Sequence, residues 1–137
     1  PARAVRQLAQ QAGVTVTGRV PDVRPYLKHA RAAIAPMRIA RGVQNKVLEA
    51  MAMRLPVLVS TKGLEGIDAK DGDEVLLAES ASDYVRLFGE LVHGEHAQMG
   101  ERARHCVQQM FNWAENLPEV VLLLGNTSAA PRYARKS

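Results

Sequence analysis

A single cysteine, Cys106, occurs in 137 residues, so no disulfide can form within the chain, and a reducing compartment suits it. Ala103, Val107 and Met110 stand at helical spacing around it and mark it as a buried apolar residue rather than a reactive thiol. Aromatics make up only 4% of the chain, too few to interleave with basic residues as stacking platforms, and no helix-turn-helix or RNA-binding pattern occurs. The net charge of +4 therefore does not by itself indicate a nucleic-acid partner; part of it comes from the terminal RYARKS. No apolar run approaches the roughly 20 residues that a bilayer crossing needs, and the N-terminus lacks the order of a secretory signal. A soluble, cytoplasmic domain is the expectation. The chain opens on Pro1 straight into a helical pattern, which suggests a fragment of a longer protein.

The composition, 47% hydrophobic and 23% charged, suits one globular domain with a real core. It is expected over residues 1–125, with a flexible tail at 126–137. Ala4, Val5, Leu8, Ala9 and Ala12 mark one helix face, ended by Gly13. VTVTG (residues 14–18) reads as a strand, and Asp22 as the cap of a helix with Val23, Tyr26, Leu27 and Ala30 inward. AAIAP reads as a second strand, buried on both faces. A helix beginning near Gly42 points Val43, Val47, Ala50 and Met51 inward, and PVLVS supplies a third strand. A turn at Asp71–Asp73 introduces a fourth at Val75–Leu77. Ser80 and Asp83 cap a helix with Tyr84, Phe88, Leu91 and Val92 inward. Two further helices are expected, one over Glu95–Met110 and one over Asn112–Leu124 with a kink at Pro118. Strands alternating with helices imply an α/β class: a Rossmann-like parallel sheet with helices on both faces. In such sheets ligands sit beyond the carboxyl ends of the strands, which directs attention to the loops 18–22, 36–42 and 60–66.

The segment RIARGVQNKVLEAMAM, Arg38 to Met53, carries three cations, Arg38, Arg41 and Lys46, in or just before a helix's first turn. The helix dipole disfavours cations there by roughly 0.3 to 1 kcal/mol each at exposed sites. A phosphate bound to the free N–H groups would reverse the sign of those terms. Gly42 permits close approach, and Gly42, Asn45, Lys46 and Glu49 share one polar stripe at spacings of three and four. The alternative is an ordinary surface pair between Lys46 and Glu49, with solvated arginines. Neither a Walker loop nor the three-glycine dinucleotide pattern is present. His29, His93, His96 and His105 show no metal-ligand spacing. Ser60 and Thr61 lack a nearby base and read as turn residues; Trp113 reads as a packing anchor. No complete acid/base pair is found.

The order VTGRVPDVRPYLKHA, AIAPMRIARGVQNKVLEAMAMRLPVLVST, GLEGI and NWAENL resembles the C-terminal half of the glycosyl transferases group 1 family (family 4, GT-B fold), over roughly Pro1 to Leu124. It is most similar to sugar transferases of bacterial extracellular polysaccharide systems, the exosortase-associated branch included. The resemblance implies the nucleotide-sugar-binding half of a retaining glycosyltransferase of hexosyltransferase type, working without a metal or other cofactor. Its first strand and its N-terminal partner domain are missing from this chain. No catalytic residue is assigned to this half, and alone it is expected to be inactive. Carried over by position, Glu49 would accept from the ribose hydroxyls. Gly42 and Val43 would approach the diphosphate and sugar, and Arg19 and Val20 would touch the base. Arg41 stands where many members have a second glutamate; the similar subgroup has Gly-x-x-Asn-Lys, which gives Asn45 and Lys46 a place at the diphosphate. Arg54 stands where a helix-ending glycine is common. The implied partners are a nucleotide-sugar donor and a lipid-linked or glycan acceptor at the membrane surface, with a cytoplasmic location peripheral to the inner face of the membrane. A sugar-nucleotide epimerase half-domain and a non-catalytic receiver-like module are the alternative readings.

Overall fold

The structure is a computed structural model that describes residues 2–111. The expected helix at Asn112–Leu124, Trp113 and the 126–137 tail lie outside the described residues.

The most apolar run of the PVLVS segment becomes the middle of the sheet. Strand β2 (Val57–Val59) is buried at all three positions, which fits β-branched residues covered on both faces. It pairs in parallel with β1 (Ala33–Ala35) on one side and with β3 (Leu76–Leu77) on the other, in the order β1-β2-β3. Val57 and Val59 share one core cluster with α3 (Asn45–Ala52) and α5 (Met99–Phe111). Leu58, which alternation sends to the opposite face, joins Leu76, Leu87 and Met99 in a second cluster under α4 (Ala81–Val92). A parallel sheet with helices on both faces is thus present.

Several local expectations fail at the start of the chain. The VTVTG segment is not a strand, because a strand exists only by pairing and none of the described strands lies beside it. The first helix is short, α1 (Arg3–Gln7) followed by a 3-10 turn at Leu8–Gln10, and none of its residues is buried. Its apolar face, with Val5 and Leu8 exposed, has no partner among the described residues. Helix α2 (Arg24–His29) buries only the Leu27 side of its stripe; Tyr26 is exposed. Asp22 receives the Arg24 N–H at 2.9 Å, an Asx-type start to the helix. Strand β1 is not buried on both faces either. Ala33 and Ala35 pack on the core, but Ile34, which alternation turns to the other face, is 55% exposed.

Helix α4 is also rotated from its expected setting. Leu87 is buried, with Tyr84 and Leu91 packed beside it, while Phe88 and Val92 are exposed. Its apolar arc is wider than the strip of sheet beneath it, so only the middle of the arc is covered. The next helix, α5, begins at Met99 rather than near Glu95, because Gly94 and His96 adopt positive φ. Cys106 sits in the core as expected. Burial pushes its thiol up to about 11, and Glu74 and Asp68 add to the shift.

Candidate functional site

All three strands run the same way, so their carboxyl ends share one edge, from which residues 36–44, 60–66 and 78–80 depart. Ser60 stands at the end of β2. Its hydroxyl donates to the Met37 carbonyl at 2.6 Å and accepts the Gly63 N–H at 3.1 Å. Gly63 is seated so tightly that a β-carbon would lie 2.7 Å from Val59 Cγ2 and 3.1 Å from the Ala35 oxygen. Beyond it, a β-carbon on Gly66 would meet Val43 Cγ2 at 2.8 Å. The first two loops are therefore in contact at two places. Thr61 next door donates both its N–H and its hydroxyl to Glu79 Oε1, tying the second loop to the end of β3. These bonds, the side-chain one foremost, hold the Glu79 carboxyl below its usual range. Ser60 and Thr61 do open the turn after β2, as expected, but Thr61 is not without a base at hand: Glu79 comes from 18 residues away, a distance at which no local spacing signals it.

Helix α3 starts at Asn45, three residues later than expected. Gly42 explains the delay, because its φ of +71° is incompatible with a right-handed helix. It therefore belongs to the loop, and the expected stripe reduces on the helix itself to Asn45, Lys46 and Glu49. Val43 is correspondingly not part of an inward helix face; it is 42% exposed and rests on Gly66. Inward positions Val47, Ala50 and Met51 are buried as expected.

The two helices that begin at this edge have opposite N-termini. In α4 the Asp83 N–H donates to Ser80 Oγ and the Ser80 N–H to Asp83 Oδ2, each at 3.1 Å. The backbone N–H groups of Glu79 and Ser80 hold the Asp83 carboxyl below its usual range, and the cap is complete. In α3 the capping residue Gln44 makes no side-chain cap, and the first turn contains no acid. Instead Gln44 Nε2 donates to the Gly42 carbonyl at 3.4 Å. Arg38, Arg41, Asn45 and Lys46 are all exposed around this start. Gly42 is exposed too, with nothing within 4 Å of where a β-carbon would stand. Glu49 is half-buried one turn along, between the buried Leu48 and Ala50.

Loop and helix thus bring together Arg41, Gly42, Val43, Asn45, Lys46 and Glu49. Arg19, exposed, and Val20, half-buried, lie in the stretch before α2. Among the described residues no hydrogen bond joins either to the loops at this edge.

One histidine departs from expectation. His96 Nε2 lies 2.9 Å from Glu90 Oε2, and the ligand atoms of Glu90, Glu95 and His96 gather within 4.8 Å of one another. The left-handed turn at Gly94 and His96 folds the residues after α4 back onto it, which sequence spacing alone does not convey. The His96 contact, ahead of Arg86, keeps the Glu90 carboxyl below its usual range.

A three-stranded parallel sheet with helices on both faces defines an α/β protein of Rossmann-like class. The particular family is given by the sequence: residues 1–93 match the family of glycosyl transferases group 1, and the chain belongs to it. That membership supports glycosyl transfer in general, with a sugar donor and an acceptor. Comparison with curated proteins and with solved structures gave no match. No helix among the described residues is long and apolar enough to cross a membrane.

Proposed function

We propose that this chain is the donor-binding half of a retaining glycosyltransferase of hexosyltransferase type, which holds a nucleotide-sugar at the start of α3. The observation that carries the reading is the contrast between the two helix starts: α4 is closed by its own serine and aspartate, whereas α3 is open and flanked by cations. A diphosphate is the ligand whose charge suits both the free N–H groups and Lys46. In this reading the N–H groups beyond Gly42 and the Lys46 ammonium stabilise the leaving diphosphate. Asn45 and Arg41 line its approach, Glu49 accepts from the ribose hydroxyls, Val43 bounds the sugar, and Arg19 and Val20 meet the base. The acceptor and the remaining catalytic groups belong to an N-terminal partner domain. The residues that resemble the exosortase-associated branch support a role in polysaccharide biosynthesis, with an acceptor at the inner face of the membrane.

The test is a calorimetric titration of the chain with UDP, GDP, ADP and CDP, repeated on Lys46→Ala and Glu49→Ala. One diphosphate is expected to bind, with either substitution weakening it roughly tenfold or more, as loss of a charge-assisted hydrogen bond implies. Equal affinity in wild type and both variants removes the reading.

A further inference from the structure

We infer that Ser60 is the positioning residue of the donor site, setting the shape of the loop that carries Gly42 through the Met37 carbonyl. The inference rests on the donor-site reading above.

Ser60 is the buried polar residue of the described core, 5% exposed. A buried hydroxyl must satisfy its polar atoms, and this one does so in both senses, donating to Met37 and accepting from Gly63. The bond to Gly63, three residues on, is what any serine completing a turn would make. The bond to Met37 is different in kind, because it reaches 23 residues back, into the other loop. Main-chain bonds reinforce it: the Ser60 N–H donates to the Ala35 carbonyl at 3.3 Å, and the Ser60 carbonyl accepts from Leu64 at 3.1 Å.

Gly42 hangs between two anchored points. On one side Met37 is held by the Ser60 hydroxyl; on the other Val43 rests on Gly66. The 60–66 loop that supplies both anchors is tied in turn to Glu79 by Thr61. Nothing lies within 4 Å of where a β-carbon on Gly42 would stand, and the bond its carbonyl accepts from Gln44 Nε2 at 3.4 Å comes from within the same loop. Its left-handed conformation, and with it the direction of the N–H groups that follow, is imposed from the flanks. A hydroxyl that orients such a loop in advance strengthens binding by preorganisation without touching the ligand.

The experiment uses the nucleoside diphosphate that the wild-type chain binds best. Ser60→Ala is expected to remain folded with a cooperative melt and to bind that diphosphate roughly tenfold more weakly, while Ser60→Thr, which keeps the hydroxyl, stays within about twofold of wild type. Hydrogen exchange on the wild-type chain needs no variant: the diphosphate is expected to slow exchange of the Gly63 amide as well as of residues 42–46. Unchanged affinity in Ser60→Ala, equal weakening in the Ala and Thr variants, or protection confined to residues 42–46 overturns the assignment of Ser60 and leaves the donor site standing. Absence of binding to any of the four diphosphates by the wild-type chain overturns both.

Discussion

The carbonyl oxygen of Arg54 is pressed against the backbone of Gly100, so closely that a β-carbon on Gly100 would stand 2.1 Å from it. This contact closes α3 on α5. Gly100→Ala must push the two helices apart, and a loss of about 3 kcal/mol is expected, at the upper end of overpacking costs. The Arg54 side of the same contact has φ of +61°, the left-handed conformation at which a side chain costs roughly 1 kcal/mol relative to glycine. Its ion pair with Glu101 at 2.9 Å is mostly exposed and recovers little. Arg54→Gly is therefore expected to stabilise the chain by about 0.5 kcal/mol, the remainder being offset by the unfolded-state entropy of glycine. Urea unfolding midpoints of the two variants measure both signs.

The rotation of α4 gives a second measurement. Leu87 is 6% exposed and Phe88 is 40% exposed. Truncating the smaller residue is expected to cost more: about 2 to 4 kcal/mol for Leu87→Ala and less than about 1.5 kcal/mol for Phe88→Ala. The reverse order in chemical denaturation would return the helix to the setting that the sequence stripe suggests.

Acid should weaken the structure through named carboxylates. Asp83 is held low by the Glu79 and Ser80 N–H groups, Glu79 by Thr61, and Glu90 by His96. For each, the folded chain binds its proton less readily than the unfolded chain does. Their contribution is present above the unfolded values near 3.8 for Asp and 4.5 for Glu and is lost as pH falls through the lower folded values. Stability is expected to decline below about pH 4.5, and Asp83→Asn should flatten that decline. At neutral pH, Ser80→Ala should cost about 1 kcal/mol for the lost cap. Urea midpoints measured between pH 7 and pH 3 check both statements.

Cys106 gives a simple probe of the core around α5. With its thiol raised to about 11 and its Sγ donating to the Asp68 carbonyl at 3.4 Å, little thiolate is present at pH 8. A thiol reagent such as a disulfide chromophore is expected to label the native chain slowly and the urea-unfolded chain within seconds. Rapid native labelling at the unfolded rate would contradict the burial of this face.

Wherever one element's chemistry is self-contained, it was legible in advance. The Ser80–Asp83 cap, the buried run Val57–Val59, the inward Val47, Ala50 and Met51, the apolar Cys106 and the parallel α/β class all follow from periods of two or of three to four and from local capping geometry. Family membership also rests on local motifs, because GVQNKVLEAMAM and its neighbours are contiguous. The cations before α3 were visible as a charge pattern; Gly42 and Glu49 were placed by their positions in it.

What was misread depends on partners. Val14–Gly18 has strand composition, yet pairing decides whether a strand exists. Ile34 and Phe88 are apolar, yet coverage decides whether they are buried, and both are left exposed. Val43 is expected on an inward helix face, whereas α3 starts only at Asn45, after the left-handed Gly42. Ser60 and Thr61 do open the turn after β2, but their bonds to Met37 and Glu79 reach distant parts of the chain that no turn signal announces.

The order of residues alone determined the periodicity of each element, the caps, the family and the concentration of positive charge before α3, since all of these arise from neighbours within a few positions. Tertiary structure alone decided which apolar faces are covered and that one serine hydroxyl joins the two loops at the strand ends. Those features depend on groups far apart in the chain meeting within a hydrogen bond or a van der Waals contact, and no local spacing encodes such a meeting.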